Sequence, residues 1–308
     1  MTRSRRVLAV AYAIDLALGD PVWLPHPVRA IGEAVARGER RWNAPGAGAG
    51  ARGAIFSLAL IAATGATAVA VVATLRRLPR VPAFAFEAIL GATTLATTDL
   101  VREAAAVADA LEAGDLPKAR RRVARIVGRD TADLDANDVA RAAIETLAES
   151  TCDGIVAPLF WFALGGVPAA LAFKAASTLD SMIGHHDERF EHFGKAAARI
   201  DDAANFVPAR AAAAIAALVS GAPLRAFASA WRDAGAHASP NAGWPEGAFA
   251  GALDVRLGGT NQYAGVRVNG PVFHAAGAAP DAPDIRRAIR LVRRTSAVAA
   301  AIAIRCCR

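Results

Sequence analysis

AIFSLALIAATGATAVAVVATL, residues Ala54–Leu75, runs for twenty-two residues without a charge. At about 1.5 Å per residue, a helix of that length reaches ~33 Å, enough to cross a hydrocarbon core ~30 Å thick. A basic turn follows it, Arg76-Arg77-Leu78-Pro79-Arg80, and Arg3, Arg5 and Arg6 precede the first apolar run, Val7–Leu18. Basic residues beside apolar runs are what membrane topology requires. Working outward, Val81 to Thr98 is a second candidate span with Glu87 inside it. Ile155–Phe173 is a third, uncharged and aromatic-rich, interrupted by Pro158 and Gly165-Gly166. Ala211–Leu224 and Ser296–Ile304 are shorter and read as spans, tilted helices or interfacial segments. Val7–Leu18 is also short and carries Asp15. The expected fold is all-α: an integral membrane protein with four to six membrane helices and further helices outside the bilayer.

Composition agrees. Of 308 residues, 54% are apolar and 20% charged, against about 45–50% apolar in soluble domains. The net charge of +7 is almost all arginine beside apolar runs, and no zinc-finger, RRM or KH pattern occurs, so nucleic acid is not an expected partner. Cys152, Cys306 and Cys307 form neither a disulfide framework nor a CxxC metal pair. The basic N-terminus followed by an apolar run is superficially like a signal peptide. Asp15 and Asp20 interrupt it and no small-residue cleavage site follows, so it is expected to be retained.

The chain reads as a single membrane-embedded domain, 1–308, with polar helical segments at about 101–153, 174–206 and 225–290. Within the first, Leu100–Ala113, Asp115–Val127 and Asp135–Ser150 are predicted helices. The last contains turn signals, Ser239-Pro240-Asn241 and Leu257-Gly258-Gly259, and little strand-like alternation. Gly/Ala-rich 44–53 reads as a linker. Topology contains a conflict: if Ile155–Phe173 crosses, the motif-rich segments 101–153 and 174–206 fall on opposite sides. Either that run is re-entrant, broken at its Pro and Gly residues, or the motifs converge near the midplane.

Five polar constellations stand out. In Asp20-Pro21-Val22-Trp23-Leu24-Pro25-His26-Pro27-Val28-Arg29, three prolines set an extended turn and Pro27 opens a helix. His26 and Arg29 at that helix start suit a phosphate or carboxylate. The same stretch reads more simply as an interfacial helix with an Arg29–Glu33–Arg37 ladder. Gly128-Arg129-Asp130-Thr131 precedes a stripe of Arg141, Glu145 and Glu149, with Asp153 at the edge of the apolar run. Carboxylates delivered to a membrane boundary suit Mg²⁺, which takes few protein ligands plus substrate phosphates. The plain alternative is a solvated face of intrahelical ion pairs. Lys174, Thr178, Asp180 and Ser181 form a third group; Asp201, Asp202, Asn205 and Arg210 form a fourth, ahead of an apolar helix. Adjacent side chains on a helix diverge, so Asp201 and Asp202 need not share one ion. Asn241, Gly243 and Trp244, with the glycines to Gly259, are the fifth: glycine-rich backbone can approach a ligand, but taken alone the stretch reads more simply as tight turns around a packed Trp. GxxxxGK[ST], GxGxxG after a strand, HExxH and GxSxG are all missing.

In this order the motifs resemble the adenosylcobinamide-phosphate synthase family, known as CobD or CbiB. The residues that carry the resemblance are GDPVWLPHPVRAIG (19–32), VGRDT (127–131) and AIETLAESTCDGIVAPLFW (143–161). KAASTLDSMIGH (174–185), RIDDAANFVPAR (199–210) and NAGWPEGAFAGALDVRLGG (241–259) complete the set, which covers about residues 10 to 265. Three positions depart from the family pattern: Ser150 stands where Asn is usual, Phe206 where Tyr is common, and Glu246 where Met is common. Ser150 keeps a hydrogen-bonding oxygen but loses the amide donor.

The resemblance implies cobalamin biosynthesis: ATP-dependent ligation of adenosylcobyric acid to (R)-1-amino-2-propanol or its O-phosphate, with Mg²⁺. It implies metal ligation by Glu149, Asp153, Asp201 and Asp202, and catalytic roles for Asp180, Glu149 and Lys174. His26, Arg29, Arg129, Asp130, Thr131, Thr178, Ser181, Asn205, Arg210, Asn241, Gly243 and Trp244 become the expected substrate and phosphate contacts. Expected partners are the corrinoid, the aminopropanol substrate, the bilayer and other cobalamin-assembly enzymes. The expected location is the inner cell membrane, multi-pass, with the site facing the cytoplasm where ATP and corrinoids are found. A small-solute transporter and a non-catalytic membrane scaffold are the rival readings.

Overall fold

The computed structural model describes residues 2–21, 23, 25–44, 46, 48–185 and 188–307, so Val22 and Leu24 of the first motif lie outside the described residues. The fold is helical apart from one small hairpin. The chain divides into two compact units.

The first unit is Met1–Ala96, Ala157–Asn205 and Ala300–Arg308. It opens with α1 (Arg3–Leu18), capped by the Thr2 hydroxyl, and α2 (Pro27–Trp42), with its proline in the first turn. Helix α3 (Ala49–Leu75) begins inside the stretch expected to be a linker, just after Gly48, and runs through Gly50 and Gly53. Only 17% of its most apolar window is buried in the protein, so its surface is left for lipid. Helix α4 (Arg80–Ala92) ends where the hydroxyls of Thr93 and Thr94 bond to the carbonyls of Leu90 and Gly91, each at 2.7 Å. Glu87 is buried between Arg3 (2.9 Å) and Arg76 (3.1 Å), which answers the charge inside that apolar run.

The second unit is Thr97–Val156 and Phe206–Ala299. Helix α5 (Thr97–Glu112) is followed by α6 (Leu116–Val123) and α7 (Ala136–Thr151). Asp115 and Asp135 cap the last two, accepting from Lys118 N–H (2.9 Å) and Asp138 N–H (2.8 Å). A π-helical turn, Cys152–Val156, leads into α8 (Ala157–Ile183), which belongs to the first unit. Pro158 lacks the N–H that Gly154 would pair with, so the turn widens just before it. Helix α8 is itself broken at Gly165-Gly166, where Gly166 takes φ 65°, and Pro168 stands in the first turn beyond. The third apolar run is therefore interrupted at its glycines.

Helix α9 (Lys195–Val219) carries the Asp201-Asp202 motif. Helices α10 (Pro223–Asp233) and α11 (Gly243–Leu253) pack closely through glycines. A Cβ on Gly251 would stand 2.6 Å from the Arg225 carbonyl oxygen and 2.9 Å from Ala226 Cα. Gly251→Ala should cost about 1–3 kcal/mol through overpacking, read as a lowered unfolding midpoint in detergent. An unchanged midpoint would show that the two helices separate freely.

Residues 257–273 correct the helical expectation for 225–290. They form an antiparallel hairpin, β1 (Leu257–Tyr263) and β2 (Val266–Phe273), with an irregular register between Gly258 and Thr260. Its turn puts Ala264 at φ 48° and Gly265 at φ 81°. Helix α12 (Ala282–Cys306) closes the chain.

Among the described residues, four helical runs are long and apolar enough to cross a membrane: Ala49–Leu75, Arg80–Glu112, Ala136–Ile183 and Lys195–Val219. This matches the expected range of four to six.

Candidate functional site

Each unit contains a concentration of buried polar groups that includes motif residues. In the second unit, a cleft of about 770 Å³ lies among Arg129, Glu145, Glu149, His237, Glu246 and the glycines of β1 and β2. Its floor is an ion-pair hub on Glu145, whose side chain is 6% exposed. Arg129 approaches Glu145 at 2.6 Å and Arg141 at 3.4 Å, while the Gly258 N–H donates to it at 2.7 Å. Both arginines also donate to Asn261 Oδ1, at 2.8 and 3.0 Å. Helix α7 thereby holds β1 through charge and backbone together. Gly258 and Gly259, at φ 77° and 93°, lie in the cleft wall, where glycine alone relieves the left-handed backbone.

Asp130 works at the other end of the hairpin. Its N–H donates to the Gln262 carbonyl at 2.8 Å, and its carboxylate accepts from Ala264 N–H (3.3 Å) and Gly265 N–H (2.7 Å). The motif Gly128-Arg129-Asp130-Thr131 therefore docks the hairpin as well as lining the cleft. Thr131 is half-buried in the loop that follows.

Glu246 is buried in α11, with His237 Nε2 at 3.8 Å. Burial pushes its carboxyl well above the usual carboxylate range; Glu145 and Glu149 add to the rise, and Arg129 opposes it. The folded state therefore holds more protons here than the unfolded chain does. Stability from this group is fully present below the ordinary carboxylate range and is lost as pH rises through the folded-state value. Glu246→Gln should flatten that decline in an unfolding series against pH. A parallel pH dependence in both proteins would remove Glu246 as its source.

In the first unit, Asp201 is the centre. It is 9% exposed; its Oδ2 accepts from Asn205 at 3.0 Å, and its Oδ1 is buried without a hydrogen-bond partner. Asp180, Asp202 and Lys174 lie close enough to act on its charge. The Asp180 carboxylate occupies the space a side chain on Gly184 would need, 2.0 Å from that virtual Cβ. Asp202 turns away from Asp201, as adjacent helical positions must, and lines a cleft of about 350 Å³ with His185, Lys195 and Arg199. The Thr178 and Ser181 hydroxyls donate back to the carbonyls of Lys174 (2.7 Å) and Thr178 (3.1 Å), leaving their lone pairs to accept.

The other expected contacts gather elsewhere. His26 and Arg29 both face Asp20, at 3.3 and 3.8 Å, so the first loop closes on itself. Arg37 and Glu33 make the expected rung at 2.6 Å. In the second unit Arg210 lies over the Phe206 ring at 3.6 Å and the Trp244 ring at 5.0 Å, and donates to Asn241 Oδ1 at 3.3 Å. Gly243 is small because the Ala234 carbonyl oxygen would stand 2.4 Å from a Cβ there. Glu149 lines the cleft with Arg129, and Asp153 sits in the π-helical turn.

Among the described residues, no three His, Cys, Asp or Glu side chains converge as a metal cage. Mg²⁺ needs only one or two carboxylates plus substrate phosphates, a number that the buried Asp201 oxygen with Asp180 could supply. Asn261 and His237 of the cleft were not among the expected contacts. Glu246 stood out only as a departure from the family pattern. A His two residues before Ser239-Pro240 was the one available signal for His237.

A family profile described as "CobD/Cbib protein" matches residues 8–292. The chain is 47% identical over 295 residues to "Cobalamin biosynthesis protein CobD" of Rhodobacter capsulatus, covering 94% of this chain and 93% of that one. Proteins of the same description from Geobacter metallireducens (43%, covering 95% and 93%) and Klebsiella pneumoniae subsp. pneumoniae (42%, covering 96% and 95%) are similarly related. No solved structure matches the chain.

Proposed function

The chain belongs to the CobD/CbiB family, and on that premise we propose that it joins adenosylcobyric acid to (R)-1-amino-2-propanol or its O-phosphate at the expense of ATP. Its place in cobalamin biosynthesis comes with the family. The ligation is the finer reading.

A carboxylate is a poor electrophile. In the proposed sequence the corrinoid propionate oxygen attacks the γ-phosphorus of ATP, and ADP leaves. The amine then attacks the resulting acyl carbonyl, phosphate leaves, and the amine's proton passes to a base. Mg²⁺ supplies charge neutralisation on the phosphates when bound. Asp201 and Asp180 are the residues that would hold it, Asp202, which faces the neighbouring cleft, is assigned by resemblance, and Lys174 offsets further phosphate charge. Glu149 and Asp153 remain assigned to metal by resemblance alone. Glu149 also lines the glutamate-lined cleft of the second unit, and Asp180 is the proposed further ligand or base. At about 770 Å³ that cleft is of a size for one substrate arm. Arg129 and Asn261 form its polar wall.

The observation that supports this reading most directly is the buried Asp201 oxygen without a partner beside two further carboxylates and a lysine. A carboxylate so placed costs stability unless a ligand satisfies it. ATP and corrinoid intermediates are cytoplasmic, so the site is proposed to open there, in the inner membrane. The test supplies membranes containing the protein with adenosylcobyric acid, either form of the amine, Mg²⁺ and ATP, and follows product by mass spectrometry. ATP-dependent adenosylcobinamide or its phosphate supports the ligase. No product with either amine, from correctly inserted protein, rejects it in favour of a scaffold or a transporter.

A further inference from the structure

The second unit carries a cationic surface that the ligation does not use. A cleft of about 360 Å³ is lined by Arg225, Arg287, Arg290 and Arg294, with Ser220 and Ala222 at its mouth. Two of these arginines are already compensated: Arg225 by Asp254 at 2.9 Å, and Arg287 by Asp284 at 2.6 Å. Arg290 and Arg294 have no acidic partner among the described residues, and no acidic side chain lines the cleft. They lie one turn apart on α12, on its exposed side. The surface therefore holds two uncompensated positive charges over a concave floor.

Helix α10 starts at the same cleft. Its inner face is the small-residue face, Ala226 and Ala230, pressed against the glycines of α11. Its outer face presents Leu224 (85% exposed), Phe227 (41%) and Trp231 (81%), at spacings of three and four residues. Large apolar side chains in such a row are not left to water without a reason. Their neighbour in sequence is the end of α9, a helix long and apolar enough to cross the bilayer, where Leu218 is 68% exposed. A span that ends in an amphipathic helix beside unpaired arginines has the chemistry of a membrane interface. Apolar groups enter the acyl boundary and cations meet lipid phosphates.

We propose that α10 lies in the plane of the membrane surface, with Leu224, Phe227 and Trp231 in the acyl boundary. The Arg290–Arg294 cleft then holds the phosphate of an anionic phospholipid. The occupant is lipid rather than free phosphate, because α10, which carries the apolar row, starts at the cationic cleft and follows directly in sequence on the end of a membrane span. A protein partner would need neither the continuity nor the unpaired arginines.

The experiment uses the full chain, purified in detergent and delipidated. Phosphatidylglycerol, phosphatidylcholine and inorganic phosphate are the probes, with bound lipid read by native mass spectrometry. Phosphatidylglycerol should bind in preference to phosphatidylcholine. Reversing both charges (Arg290→Glu with Arg294→Glu) should weaken that binding at least about tenfold, the scale expected for losing two basic residues at an anionic surface. The double Arg→Lys variant should retain it within about twofold. In a second reading, brominated phosphatidylglycerol bilayers should quench Trp231 fluorescence, taken as wild type minus Trp231→Phe. Equal lipid binding by the charge-reversed protein overturns the proposal. So does displacement of the lipid by inorganic phosphate at equal concentration, which would mark a free-anion site. An unquenched Trp231 overturns it as well, and would point to a surface covered by protein or by water.

Discussion

Asp201→Asn protein should insert and fold like the wild type, yet form adenosylcobinamide product at least about 10²–10³-fold more slowly, the scale of losing one group that stabilises transition-state charge. The substitution keeps shape and an oxygen that can accept from Asn205, which bonds the present carboxylate at 3.0 Å. It removes the charge that would face Mg²⁺–ATP. Because one carboxylate oxygen is buried without a partner, losing the charge should leave the unfolding midpoint unchanged or raise it. Loss of turnover with retained stability separates a functional carboxylate from a structural one. Ligation near the wild-type rate would remove Asp201 from the site, whatever the rest of the cluster does.

Glu145→Ala should have the largest effect on stability, about 3–5 kcal/mol, because it strips the partner from buried charge. Arg129, with its side chain 12% exposed, would lose its carboxylate, Arg141 would keep only Asp138 at 3.0 Å, and the Gly258 N–H would lose its acceptor. Thermal or denaturant unfolding in detergent reads the change, and Glu145→Gln, which keeps an acceptor, should cost less. A loss under about 1 kcal/mol would place the hub in the class of solvated surface pairs. The hairpin should suffer first, since its β1 strand is tied to α7 through these groups. Protection of the β1 and β2 amides from hydrogen exchange is the local measurement.

The helices were legible where their causes are local. Ala54–Leu75 is uncharged throughout, so no register or partner is needed to place it. Pro27, Asp115 and Asp135 start helices through their own backbone and side-chain chemistry, and observed boundaries fall within a few residues of the expected ones. The hairpin was hidden for the opposite reason. Strand β2 is exposed along most of its length, so it shows no alternation between a buried and a solvent face. Its two-residue turn is Ala264-Gly265, where Asn-Gly or Asp-Gly would have been the readable signal. Asp130, more than a hundred residues earlier, supplies the support that the turn residues lack.

The candidate site divides the same way. Family motifs brought Lys174, Asp180, Asp201 and Asp202 to notice, and these do gather in one unit. Asn241, Gly243 and Trp244 looked like glycine-rich ligand backbone. In the structure, Gly243 serves close packing on Ala234, and Trp244 belongs to a cation–π stack with Arg210. Spacing in the sequence shows that a glycine is present, but not which backbone comes near it. The amino-acid sequence by itself determined that membrane-length apolar helices are present, several helix starts and the family, because hydrophobicity, capping and motif order are properties of contiguous residues. Only the tertiary structure decided which carboxylates are buried and paired. Glu145 is satisfied by two arginines, burial raises the Glu246 carboxyl well above the usual carboxylate range, and Asp201 retains an unbonded oxygen. Those differences arise from desolvation and from partners distant in sequence, which no local pattern encodes.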